Sequence, residues 1–160
     1  LPVGPGLSLS FSCLDTMSIE MERLEDYAPV SQPGDYWFRA GGQVGGQTFT
    51  ALCCYDSTSG LESIQALDTT MTDLYTPRGI QVGDSRAQVL QAYPEALTGS
   101  YQGRYPEGTD MLTFLPGSDH DPSKITDLSQ LSTSRQAGSA ILFFFDGDTV
   151  ERIVLTNMFN

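Results

Sequence analysis

Apolar and polar residues alternate with a period of two along much of the chain, and that period predicts strands. Leu7, Leu9, Phe11 and Cys13 alternate with Ser8, Ser10 and Ser12. Met17, Ile19 and Met21 repeat the pattern, which predicts a second strand paired with the first. Pro29, Pro33 and Gly34 make residues 27–35 a loop. Residues 35–40 read as a strand and the glycine-rich residues 41–46 as a turn. Residues 48–56 and 61–69 read as two strands around Ser57-Thr58-Ser59-Gly60.

The period changes to that of a helix at residues 85–93. Ser85 and Gln88 have the spacing of a capping box, and Pro94 stops the helix. Val89, Leu90 and Tyr93 fall on one side and are expected to pack against a sheet. Asp84 or Ser85 at the helix start is read as a cap rather than an anion site, because the surrounding charge is negative. Residues 98–105 and 111–115 follow as candidate strands, residues 116–123 as a polar loop, and residues 124–132 as one or two helical turns. Residues 140–146 and 149–156 make a hairpin through Asp146-Gly147-Asp148, a strong turn signal. The whole predicts an α+β fold: a large antiparallel, twisted sheet of about eight strands with one main helix packed on one face.

Two hairpins resemble each other. Ala51-Leu52-Cys53-Cys54-Tyr55-Asp56 followed by Leu61 to Leu67 matches Ile141 to Asp146 followed by Val150 to Thr156. Asp56 and Asp146, Glu62 and Glu151, and Ile64 and Ile153 agree outright. This suggests a single domain, residues 1–160, built from half-units 7–75 and 76–160; chance likeness of two apolar hairpins is the alternative.

Composition narrows the functions. Across 160 residues, 20 acidic side chains against 8 Lys plus Arg give a net charge of −12, which repels nucleic acid and anionic membrane surfaces. No run approaches the roughly 20 apolar residues of a membrane span, so this segment is not expected to insert in a membrane. The Pro/Gly-rich start at Leu1 is consistent with removal of an upstream signal peptide or lipid-anchor segment.

Chemistry-bearing residues are few. The single histidine, His120, excludes sites that need two. It lies in Asp119-His120-Asp121, which reads first as a polar loop, then as a hard-cation site using Asp119 and Asp121, and last as a catalytic base. Cys53 and Cys54 are adjacent, so on a strand they face opposite ways and only one of them can meet Cys13. The three cysteines are read as small buried residues, or as one Cys13 bridge; no Cys-x-x-Cys is present for redox or metal work. No phosphate-cradling loop, nucleophile elbow or dinucleotide fingerprint occurs, and no cofactor is implied. Aromatics are more suggestive. Tyr36, Trp37, Tyr55, Tyr101 and Tyr105 are candidate binding anchors on an exposed sheet face.

Residues 76–94 add a family likeness. Gly79-Ile80, then Gly83-Asp84-Ser85, then Val89 and Tyr93-Pro94, resemble a pattern in the β-lactamase-inhibitor-protein-like (BLIP-like) repeats and the small outer-membrane-assembly lipoproteins of bacteria. The closing Val150-Glu151-Arg152-Ile153-Val154-Leu155 is similar to theirs as well, and the likeness spans residues 76–156. It implies a helix running into an antiparallel sheet, tandem units, an extracytoplasmic bacterial location (secreted or lipid-anchored) and a role in binding other proteins. The expected function is therefore a non-catalytic extracytoplasmic module that binds a protein or peptide through a sheet face. Its alternatives are a small hydrolase or metal-dependent site around His120, and a structural spacer of a cell-surface protein.

Overall fold

The computed structural model describes residues 8–9, 19–30, 32–72, 74–99, 105–131 and 138–159. Strands are β1 Ser8–Leu9, β2 Ile19–Leu24, β3 Tyr36–Val44, β4 Gln47–Asp56, β5 Leu61–Thr69, β6 Leu74–Tyr75, β7 Leu97–Thr98, β8 Met111–Phe114, β9 Gly138–Asp146 and β10 Thr149–Phe159. Among the described residues the α-helix, α1, is Arg86–Ala92, and Leu128–Gln130 form a 3-10 turn.

Eight strands make one antiparallel sheet in the order β2-β3-β4-β5-β10-β9-β8-β7, and β1 pairs with β6 in a separate two-stranded ribbon. The order runs outward from the β5–β10 seam as 5-4-3-2 on one side and 10-9-8-7 on the other. The two similar hairpins flank that seam. Cys53 opposes Ile64 and Cys54 opposes Ser63, while at the matching positions Phe143 opposes Ile153 and Phe144 opposes Arg152. Their register shifts differ, at Leu52/Cys53 in the first hairpin and Val150/Arg152 in the second.

Alternation in the strands places two apolar clusters on opposite faces of the sheet. The larger one gathers Phe38, Phe49, Ala51, Leu67, Ile141, Phe143, Ile153 and Leu155. Helix α1 adds Val89 to it and the helix C-cap adds Tyr93, at 0% and 1% exposure, and Tyr93 meets Phe143 and Phe114 with ring centroids 5.3 and 4.7 Å apart. The second cluster holds Leu97, Met111, Ala140, Leu142, Phe144 and Val154, covered by Leu115, Leu128 and Leu131.

Local chemistry explains the helix and the turns. Ser85 accepts from the Gln88 backbone N–H, and the Gln88 side chain accepts from the Ser85 N–H, so the capping box is complete. Arg86 then ties the helix start to the second hairpin. Its guanidinium reaches Asp110 at 2.5 Å, Asp148 at 3.2 Å and the Gly147 carbonyl at 3.0 Å, and lies 4.0 Å over the Phe145 ring. Gly147 supplies φ 61° in the β9–β10 turn, and Gly45 with Gly46 supply φ 56° and 81° in the β3–β4 turn.

Several sequence expectations change. Strand β2 pairs with β3, from Ile19↔Gly42 to Leu24↔Trp37, rather than with the first strand, whose described part pairs with Leu74 and Tyr75. Strand β3 runs through Gly41, Gly42 and Gln43, which pair with Thr50, Phe49 and Thr48, so the turn shrinks to Gly45-Gly46. Leu90 is 41% exposed because the buried stripe of so short a helix is the Val89–Tyr93 row, one turn apart. The strand expected at residues 98–105 is described only as Leu97–Thr98.

Candidate functional site

The five candidate aromatics do not form one patch. Tyr36 and Tyr55 oppose each other across β3 and β4 and stack at 4.9 Å on the side of the larger cluster, with the Arg23 guanidinium 4.3 Å over the Tyr36 ring. Trp37, one residue on, points to the other face. Tyr105 is on that second face too, but over β9, edge-on to Phe144 at 4.9 Å. Trp37 and Tyr105 are each half-buried. Tyr101 lies outside the described residues.

The second face is treated differently by its two halves. Over β7, β8 and β9 it is filled by Leu115, Leu128 and Leu131 with Tyr105 and Ile125. Over β3, β4 and β5 the described residues leave it open: Arg39 and Thr50 are exposed, and Trp37, Leu52, Cys54 and Ala66 are half-buried. A groove of about 200 Å³ here is lined by Tyr27, Arg39, Leu52, Ala66, Asp68 and Val154. A second, of about 230 Å³, borders Glu20, Glu22, Arg39, Gly41 and Thr50. Arg152 marks the boundary of the filled half, donating from Nε to Asp68 at 2.7 Å while lying 4.8 Å over the Phe144 ring.

Trp37 forms one end of this open floor. Tyr27, 47% exposed, leans on it with centroids 5.7 Å apart. The Trp37 indole N–H is itself buried and makes no hydrogen bond among the described residues. A buried unsatisfied donor is uncommon, and such groups concentrate where a fold trades stability for function. Tyr27, Arg39, Leu52, Ala66 and Asp68 were not singled out by sequence pattern, since each follows the ordinary alternation of a half-buried strand or its flanking loop. The one signal for them is the mix of polar and small residues on the face that carries Arg39, Thr50 and Ala66.

The His120 loop is tied into the fold. Because a carbonyl only accepts, the Nε2–H donates to the Glu95 carbonyl at 3.1 Å, which leaves Nδ1 to accept from the Ser118 hydroxyl at 3.2 Å. Asp121 accepts from the Ser123 hydroxyl at 2.6 Å and its N–H at 3.0 Å; these bonds hold its carboxyl below the ordinary carboxylate range. Asp127 caps the 3-10 turn in the same manner through Ser129 and is lowered likewise. Among the described residues no three of His, Cys, Asp and Glu come together as a metal-holding group, and Asp119 and Asp121 make no exception.

Cys53 is buried and Cys54 half-buried on opposite faces, as adjacency on a strand requires. Burial first, and the negative charges of Asp35 and Asp56 second, push the Cys54 thiol above its ordinary value, which disfavours a reactive thiolate. The proposed partner, Cys13, lies outside the described residues. No helix of the structure is long and apolar enough to cross a membrane among the described residues. Comparison with known protein families, curated proteins and solved structures gives no match.

Proposed function

We propose that the chain is a non-catalytic extracytoplasmic module that takes a protein or peptide on the open part of the sheet face between Trp37 and Asp68. The observation that carries this is the contrast within one face: the β7–β9 half is covered by its own leucines, while the β3–β5 half keeps a groove floored by Leu52 and Ala66. Half-exposed apolar floor with an aromatic at one end and charges at the rim is the makeup of a recognition surface. In this reading helix α1 lies across the opposite face, and half-units 7–75 and 76–160 are related copies in which only the first has kept its floor uncovered. The sequence likeness to BLIP-like repeats and outer-membrane-assembly lipoproteins points the same way, toward a secreted or lipid-anchored bacterial protein. A net charge of −12 argues against nucleic acid as the ligand.

A photo-crosslinking amino acid at Leu52, with a control at exposed Leu90, tests this in extract of the source cells. A discrete adduct from position 52 and none from position 90 supports the proposal; equal labelling from both, or from position 90 alone, overturns it.

The hydrolase alternative has one favourable observation, the Ser118 hydroxyl 3.2 Å from His120 Nδ1. In that reading the Ser118 Oγ attacks the carbonyl carbon of an ester or amide, His120 Nδ1 takes its proton and passes it to the departing alcohol or amine, and water then releases the acyl group from Ser118. A fluorophosphonate probe that labels wild type but not Ser118→Ala establishes it; an unlabelled protein removes it.

A further inference from the structure

We propose that β2 is a docking edge for an extended segment of another protein in which cationic and aliphatic side chains alternate. This rests on the reading of the adjoining face as a binding surface and adds the chemistry of the partner.

The two edges of the large sheet are built differently. At the β7 edge, Thr98 donates its N–H to the Thr126 carbonyl at 2.8 Å and forms a parallel bridge with Asp127, so the chain closes this edge itself. At the other edge β2 pairs with β3 on one side, and among the described residues no strand lies on its far side. An outer strand of this kind offers a row of backbone donors and acceptors, which proteins guard with charge and which strand addition uses.

The side chains of β2 state what an added strand must carry. Strand pairing puts Glu20 and Glu22 on the groove face, in line with Gly41 and Arg39, and Met21 and Arg23 on the other. Met21 is 61% exposed. Arg23, on the Met21 face, meets exposed Glu25 at 3.4 Å, a weak pair, and lies 4.3 Å over the Tyr36 ring. Glu22 meets Arg39 at 3.7 Å with both side chains more than half exposed, a weak pair, and Glu20 has no ion pair among the described residues. Glu25 and Asp26 extend the acidic run at the strand's end. A strand laid along β2 therefore meets the carboxylates of Glu20 and Glu22 on the groove face and, on the other, the Met21 thioether followed by Arg23 with its Glu25 partner. Opposite charges facing across a strand pair are favourable and like charges unfavourable. A cation–aliphatic–cation alternation fits, and a second copy of β2, carrying the same carboxylates, does not.

The test titrates the full chain with three acetylated, amidated heptapeptides followed by fluorescence anisotropy: alternating Lys-Val, the same residues as a Lys block then a Val block, and alternating Glu-Val. The expected order is saturable binding of alternating Lys-Val, about tenfold weaker binding of the block peptide, and none of Glu-Val. Glu20→Lys with Glu22→Lys should transfer preference to the Glu-Val peptide, and Glu20→Gln with Glu22→Gln should weaken Lys-Val without that transfer. Equal binding of alternating and block peptides, or a preference unmoved by the charge reversal, overturns strand addition at β2. If the Leu52 adduct persists when the alternating peptide fails, the face reading stands and this inference alone falls; loss of both removes both.

Discussion

Trp37→Phe should leave the protein as stable as the parent or more stable, the reverse of an ordinary aromatic truncation. The indole N–H is buried without a partner among the described residues, and an orphaned donor of this kind costs about 1–3 kcal/mol. Phenylalanine removes the donor and keeps a ring against Tyr27, 5.7 Å away in the parent. The apolar area lost with the smaller ring costs about 1 kcal/mol or less, because the side chain is only half-buried. The balance runs from near zero to about 2 kcal/mol in favour of the variant. Urea unfolding followed by far-ultraviolet circular dichroism is the assay, since Trp37 is the single tryptophan and its fluorescence vanishes with it. A loss of more than about 1 kcal/mol would refute the reasoning, because it would mean that the N–H has a partner in solution. The same variant should bind a groove ligand less well, which separates a site held at a cost to stability from a simple packing defect.

Other substitutions probe the packing and caps of the fold. Tyr93→Ala removes a ring buried among Phe114, Phe143 and Arg78 and should cost about 3–5 kcal/mol in urea unfolding. His120→Ala should cost about 1–2 kcal/mol and speed amide exchange in residues 117–124, since it removes the bonds from Ser118 and to Glu95. Asp127→Ala should destabilise at neutral pH. Because Ser129 lowers the folded carboxyl below its ordinary 3.8, the Asp127 contribution is present above that value and is lost as pH falls through the folded one. The gap between wild type and Asp127→Ala should therefore narrow in unfolding curves taken from pH 5 down to pH 2.5, at roughly constant ionic strength.

The fold was legible where short-range chemistry decides it. The Ser85–Gln88 capping box, the Asp146-Gly147 turn and the alternation in residues 61–69 and 149–156 each predicted the element found there. Partner choice was not legible. Alternation says that β2 is a strand but not which strand it joins, and β2 joins β3 from Ile19↔Gly42 to Leu24↔Trp37. Glycines normally weaken a strand, so residues 41–44 read as a turn until cross-strand pairing overrode the local preference. The site was half legible. Aromatic runs flagged Trp37, yet alternation necessarily sends Tyr36 to the opposite face, so a run of neighbouring rings cannot be one platform. What defines the candidate site, a floor that the described residues leave uncovered beside a covered one, depends on where residues 115–131 fold back, and no local signal carries that.

Peptides selected from a random phage-displayed heptapeptide library against the intact chain provide an unbiased ligand. The most direct measurement is the ¹H–¹⁵N indole resonance of Trp37 during titration with such a peptide, a single peak because the chain holds one tryptophan. A saturable shift of that peak is expected, together with amides of β3 and β4 around Arg39 and Leu52. An unmoved indole peak, with shifts gathered instead on helix α1 and the β9–β10 turn, would contradict it.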